Sequence, residues 1–155
     1  MGEAETISEF SDRAREKTAN ALALAGFAPF AALAAWLLTV GQDHASWPDA
    51  LLAIRVYAIT ILSFLGGIRW GASLSQDGAR RDLIASVAPS LAGWATMFMP
   101  PVTALAVLAA AFAAQGAWDV LSAQNGSLPL WFGHIRRRMT FLVVAALLAA
   151  LYAAG

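Results

Sequence analysis

Between Asn20 and Val40 the chain carries no ionisable side chain. A bilayer core is about 30 Å thick, and a helix needs about 20 mostly apolar residues to cross it. Such a run settles the solvent before it settles the fold. In hydrocarbon every backbone N–H and C=O must be paired within its own segment, which leaves helices or closed barrels, and the length and uncharged character of this run select a helix. The whole chain is of the same kind: 155 residues, 59% hydrophobic and 13% charged, against about 25% charged in an ordinary soluble domain.

The pattern predicts an all-α polytopic membrane protein with five transmembrane helices at about residues 20–40, 49–75, 83–99, 102–121 and 130–154. These form one domain, 20–155, preceded by a cytoplasmic amphipathic arm at 1–19. Pro100 and Pro101 end the third run and force a tight turn. Pro129 starts the last helix, whose first part lies in the interface. Within the arm, Thr6 and Glu9 have capping-box spacing, and Ile7, Phe10 and Ala14 fall on one helical face. MGEAETISEF is acidic where a secretory signal is basic, so the first span is expected to be retained.

Orientation follows from where Lys and Arg fall. Arg13, Arg15 and Lys17 lie in the arm, Arg80 and Arg81 in the second loop, and Arg136, Arg137 and Arg138 before the fifth span. The intervening loops and the carboxyl end hold none. Five spans put every cluster on one side, with the amino terminus cytoplasmic and the carboxyl terminus periplasmic, in a bacterial inner membrane.

The remaining two arginines, Arg55 and Arg69, are inside the second span. A central arginine costs about 2.5–3.5 kcal/mol even on the translocon scale, so each needs a partner or a route to water. Arg69 and Asp119 fall at similar depths near the inner ends of parallel spans. An intramembrane ion pair is therefore expected, against the simpler alternatives of a snorkelling arginine and an interfacial acid. Arg55 is expected near the outer interface, facing Asp43 and Asp49.

Ser63, Gly67, Gly71 and Ser75 recur every four residues along the same span. Small residues at this spacing allow close backbone approach in lipid. The preferred reading is a packing seam within the monomer, with a dimer or partner seam as the alternative. Trp47, Trp70, Trp118 and Trp131 fall at span ends, where indoles anchor, and Trp36 lies near one. Trp94 is deeper, in the core or facing lipid. Trp131, His134, Arg136, Arg137 and Arg138 form a basic, aromatic cluster suited to an anionic lipid head group or a partner.

No catalytic site is expected. Cys is absent, and His44 and His134 fall on opposite sides, which argues against bis-histidine haem. Metal hydrolysis requires clustered His and carboxylates, and ion pumping requires mid-membrane acids; neither pattern is present. Ser63 and Ser90 have no base for nucleophilic chemistry. No cofactor or metal is expected, and a net charge of zero offers nucleic acid no general attraction.

Several stretches carry a resemblance: Gly26 to Phe30 (GFAPF), Tyr57, Ile61 to Gly71 (ILSFLGGIRWG), Pro89 with Gly93-Trp94, Asp119, and the final LWFGHIRRRMT. Over roughly Ala21 to Leu151 the chain resembles an uncharacterised family of small proteobacterial and mitochondrial inner-membrane proteins, a domain of unknown function whose animal member is transmembrane protein sixty-nine. The resemblance implies an inner-membrane address and a topology but no activity. Arg69 departs from the His expected there in the family, so an imidazole mechanism does not transfer. The resulting expectation is a non-enzymatic accessory or assembly subunit of a larger, energy-transducing membrane complex. The alternative is a small oligomeric transporter or channel for an anion or lipid head group. Expected partners are the bilayer, anionic head groups, and either other proteins or further copies of the chain.

Overall fold

The computed structural model describes the backbone of residues 2–74 and 80–155, and the side chains of residues 13–74 and 80–155. Among these the chain is all-helical: α1 (Gly2–Val40), α2 (Trp47–Ser73), α3 (Arg80–Ala95), a 3₁₀ turn (Thr96–Phe98), α4 (Pro101–Gln124) and α5 (Leu130–Ala154). Four of the helices, α1, α2, α4 and α5, are long and apolar enough to cross a membrane. α3 is not one of them. It has 16 residues, opens on Arg80, Arg81 and Asp82, and reaches the next turn only through the 3₁₀ segment.

The helix ends are written locally. α1 stops at Gly41, whose φ of 75° is the left-handed conformation that terminates a helix. Pro48 and Pro101 occupy the first turns of α2 and α4, where a missing N–H costs nothing. α4 closes in a Schellman arrangement around Gly126 (φ 78°). There the Ser127 N–H donates to the Ser122 carbonyl at 2.9 Å and the Gly126 N–H to Ala123 at 3.3 Å.

The arm and the first span are not separate elements. α1 runs from Gly2 to Val40 without a break; the side chains of Thr6, Ile7, Phe10 and the other arm residues up to 12 lie outside the described set. Pro29 is accommodated within α1. A proline removes the donor of the carbonyl four residues back, that of Ala25; at the next carbonyl, Gly26, the Tyr57 hydroxyl of α2 donates at 2.8 Å.

The contacts set the helix directions. Near its start, α2 touches the segment that leads into α4; near its end, it touches the end of α4. α2 and α4 are therefore parallel, and α3 returns antiparallel between them. The Gln42 amide donates to the Ala153 carbonyl at 3.0 Å, so α1 and α5 finish at the same end. Phe30, Leu37, Ile54, Leu62, Leu105, Leu108, Phe112 and Leu147 are fully buried and join α1, α2, α4 and α5 into one core. Phe30 meets Phe112 edge-on at 5.8 Å.

α3 is built the other way round. It buries Ser86, Pro89 and Gly93 and turns Ile84, Leu91 and Trp94 outward. Phe64, Phe141 and Tyr152 also lie on the surface. Apolar residues outside and small ones at helix contacts are the arrangement expected in lipid, where close packing replaces hydrophobic drive.

Candidate functional site

Two antiparallel contacts between neighbouring helices create the polar interior. In the first, α4 and α5 approach closely because each presents a glycine. A Cβ on Gly133 would stand 2.7 Å from the Ala123 side chain, and a Cβ on Gly116 would collide with Thr140. These contacts lie about one turn to either side of Asp119 and Arg136, and so bring the two charges together. Arg136 Nε donates to Asp119 Oδ2 at 2.8 Å.

Asp119 is shared. Its Oδ1 accepts from Gln115 Nε2 at 3.2 Å and stands 3.6 Å from Arg69 Nε, an ion pair beyond hydrogen-bonding distance. The Arg69 guanidinium is held by α4 in three further ways. Nη1 donates to the Ser122 hydroxyl at 3.2 Å, Nη2 reaches the same hydroxyl and the Trp118 carbonyl, and the cation lies 4.0 Å above the Trp118 ring. Asp119 is 2% exposed and each arginine 7%. Such a cluster needs these hydrogen bonds to offset desolvation.

Beside Arg69 is a small polar cavity of about 30 Å³, bordered by Ser73, Asp82, Ser122 and Ser127. That is the volume of about one water molecule. Among the described residues, no group of three His, Cys, Asp or Glu is placed to hold a metal.

The second contact joins α2 to α3. A Cβ on Gly66 would strike the Ser86 carbonyl, and one on Gly93 would lie 3.3 Å from Ile59. One further turn along, Arg55 Nη2 donates to the carbonyls of Thr96 at 2.9 Å and Met99 at 3.3 Å. In a continuing helix the Thr96 carbonyl would receive the N–H of residue 100, which is proline and has none. Arg55 is therefore not an interfacial arginine facing Asp43 and Asp49. It is buried and adds a second donor to a carbonyl that also accepts the Met99 N–H of the 3₁₀ turn at 3.2 Å.

Several expected sites are redistributed. Ser63, Gly67 and Gly71 face outward, and a Cβ at Gly67 or Gly71 would meet nothing within 4 Å. Among the described residues the seam is not a packing surface within the chain; that role belongs to Gly66, one residue away, and a one-residue step turns about 100° around a helix. Ser75 lies outside the described residues. Of the basic cluster, His134, Arg137 and Arg138 are exposed, whereas Arg136 turns inward to Asp119 and is not available to a head group at the surface. Trp131 is half-buried. Trp118 serves Arg69, Trp47 is buried, and Trp94 stands on the outer face, edge-on to Phe98.

Gln115, Ser122, Trp118 and Tyr57 were not anticipated. Gln115 and Ser122 had a legible signal, since they lie four and three residues from Asp119 and share its side of α4.

No solved structure matches the chain. Transmembrane protein 69 of Xenopus tropicalis is 32% identical in an alignment of 143 positions that covers 87% of this chain and 54% of that protein. The chain thus spans about half the length of the curated relative it matches. Residues 15–152 match the family described as a protein of unknown function (DUF3429). The chain belongs to the DUF3429 family. With four helices able to cross a bilayer, it is a multi-pass integral membrane protein. The matched region contains both glycine contacts and the whole Arg69, Asp119 and Arg136 cluster.

Proposed function

We propose that this DUF3429 protein is a non-enzymatic accessory or assembly subunit of a larger membrane complex, and that α2 offers its Ser63, Gly67 and Gly71 face to a transmembrane helix of a partner. The observation that carries this reading is the outward turn of that face. Two glycines lie in the last two turns of a membrane helix with open space where their side chains would be. A Gly costs about 0.5–1 kcal/mol relative to Ala in a helix interior, and close approach of a second helix is what small residues provide in lipid.

The same reading takes all five helices across a bacterial inner membrane. α2 and α4 are parallel, so the chain between them has to return through the same layer, and only α3 with its 3₁₀ turn is there to do so. The arginines of early α1, α3 and early α5 then share the end where Arg69 lies, which the positive-inside rule makes cytoplasmic. The bacterial and mitochondrial distribution implied by the resemblance makes energy-transducing complexes the first partners to examine.

The test is extraction in mild detergent, followed by native mass measurement and co-purification, for the wild type and for Gly67→Leu and Gly71→Leu. Stable companion subunits that are lost in the glycine variants, with monomer unfolding unchanged, support the proposal. A homo-oligomer without companions favours the alternative, a small transporter or channel for an anion or lipid head group.

A further inference from the structure

We propose that the cavity enclosed by α1, α2, α4 and α5 binds a single-tailed anionic lipid of the fatty-acid class, with its carboxylate at Arg136 and its tail against Phe30 and Phe112. The cavity has a volume of about 400 Å³, within the range that encloses one small ligand and too little for both chains of a phospholipid. Its wall changes character along α5. Trp131 and Arg136 stand at one end, and Met139 and Val143 lead away from them to Phe30 and Phe112. Arg136 and Val143 are seven residues apart, about 10 Å along the helix. The polar end faces the side where Arg69 and the basic helix starts lie, and the apolar end reaches towards mid-membrane. This is the order of head and tail in a bilayer lipid.

The head chemistry follows from Arg136. Its Nε is used on Asp119, while Nη2 is buried and has no hydrogen-bond partner, a costly state for a cationic donor. Among the described residues Asp119 contacts both buried arginines of the cluster, and Asp82 stands with Arg69 at the separate small cavity. The free guanidinium nitrogen of Arg136 is a charged donor, and a charged donor binds an anionic oxygen more strongly than a neutral carbonyl. Space for the tail comes partly from Gly26, where a Cβ would approach only the Tyr57 hydroxyl, at 4.0 Å. Exposed Leu22 and Phe64 flank the cavity on α1 and α2 and leave it open to the acyl region.

The protein is reconstituted in bilayers of zwitterionic lipid and titrated with stearic acid brominated along its chain, and separately with the methyl ester of the same acid. Bromine quenches indole fluorescence at short range, and the contribution of Trp131 is isolated by comparison with Trp131→Phe. The acid is expected to quench Trp131 at about tenfold lower concentration than the ester, the worth of one hydrogen bond to a charged group. Arg136→Gln abolishes that difference. Ala23→Phe, which fills the cavity from α1 away from the ion cluster, removes saturable quenching by the acid while leaving thermal unfolding in place. Should Arg136→Gln fail to fold, Ala23→Phe and the acid-to-ester ratio decide the matter. Equal quenching by acid and ester, or an Ala23→Phe protein that still saturates like the wild type, overturns the proposal.

Discussion

Arg136 of α5 and Asp119 of α4 meet at 2.8 Å in the interior of the bundle, although the sequence places the arginine in a run of three that reads as a surface cluster. Removing the acid leaves two buried guanidiniums facing each other. Asp119→Asn is expected to lower stability by about 3–5 kcal/mol, the usual consequence of breaking a buried pair from one side. In double-mutant cycles followed by denaturant unfolding in micelles, Asp119→Asn with Arg136→Gln should be non-additive by about 1–3 kcal/mol. Asp119→Asn with Arg69→Gln should show a smaller coupling, because that separation is 3.6 Å. Additivity in both cycles would show that the cluster is not one unit.

Adjacent glycines of α2 should behave oppositely. Gly66→Ala drives a methyl group into the Ser86 carbonyl and is expected to cost about 1–3 kcal/mol through overpacking. Gly67→Ala and Gly71→Ala place theirs in open space and should gain up to about 1 kcal/mol each from helix propensity in the isolated monomer. Thermal unfolding of the three variants in one detergent is sufficient. A destabilised Gly67→Ala monomer would mean that the outward face is occupied within the chain.

Arg55→Met leaves the Thr96 and Met99 carbonyls without their arginine donor. The Thr96 carbonyl keeps the Met99 N–H at 3.2 Å, so the expected loss is about 1.5–3 kcal/mol, the worth of hydrogen bonds from a charged donor. Pro100→Ala restores the N–H that the Thr96 carbonyl would otherwise receive, so Arg55→Met should cost less in that background. An identical cost in both backgrounds would remove Pro100 from the explanation.

Loop accessibility tests the membrane path. The chain has no Cys, so single cysteines can be introduced cleanly. With five crossings, Asp43→Cys reacts with an impermeant maleimide added outside intact cells, and Asn125→Cys reacts only after permeabilisation. The Gln42 contact with Ala153 requires a cysteine at Gly155 to label like Asp43→Cys. Labelling of Asn125→Cys in intact cells would reverse the orientation.

The membrane setting was legible in the uncharged run of residues 20–40, and helix ends in Pro100, Pro101 and Pro129, because hydropathy and local backbone chemistry act over a few residues. Arg69 and Asp119 were legible as neighbours because both are costly in lipid and lie at matched depths. The outward turn of Gly67 was not. In lipid both faces of a helix are apolar, so hydropathy cannot say which is inside, and two neighbouring glycines offer equivalent small faces until a partner helix selects one. The Pro100 carbonyl defect was visible in the sequence, but the residue that answers it lies on another helix.

Composition and spacing alone determined the solvent, the approximate placing of the helices and which charges need partners, since each depends on the chain and the bilayer only. Tertiary structure decided which partners they find. Arg136 faces Asp119 rather than a head group because Gly116 and Gly133 let α4 and α5 close together in one antiparallel register, and that register depends on the shapes of two helices at once.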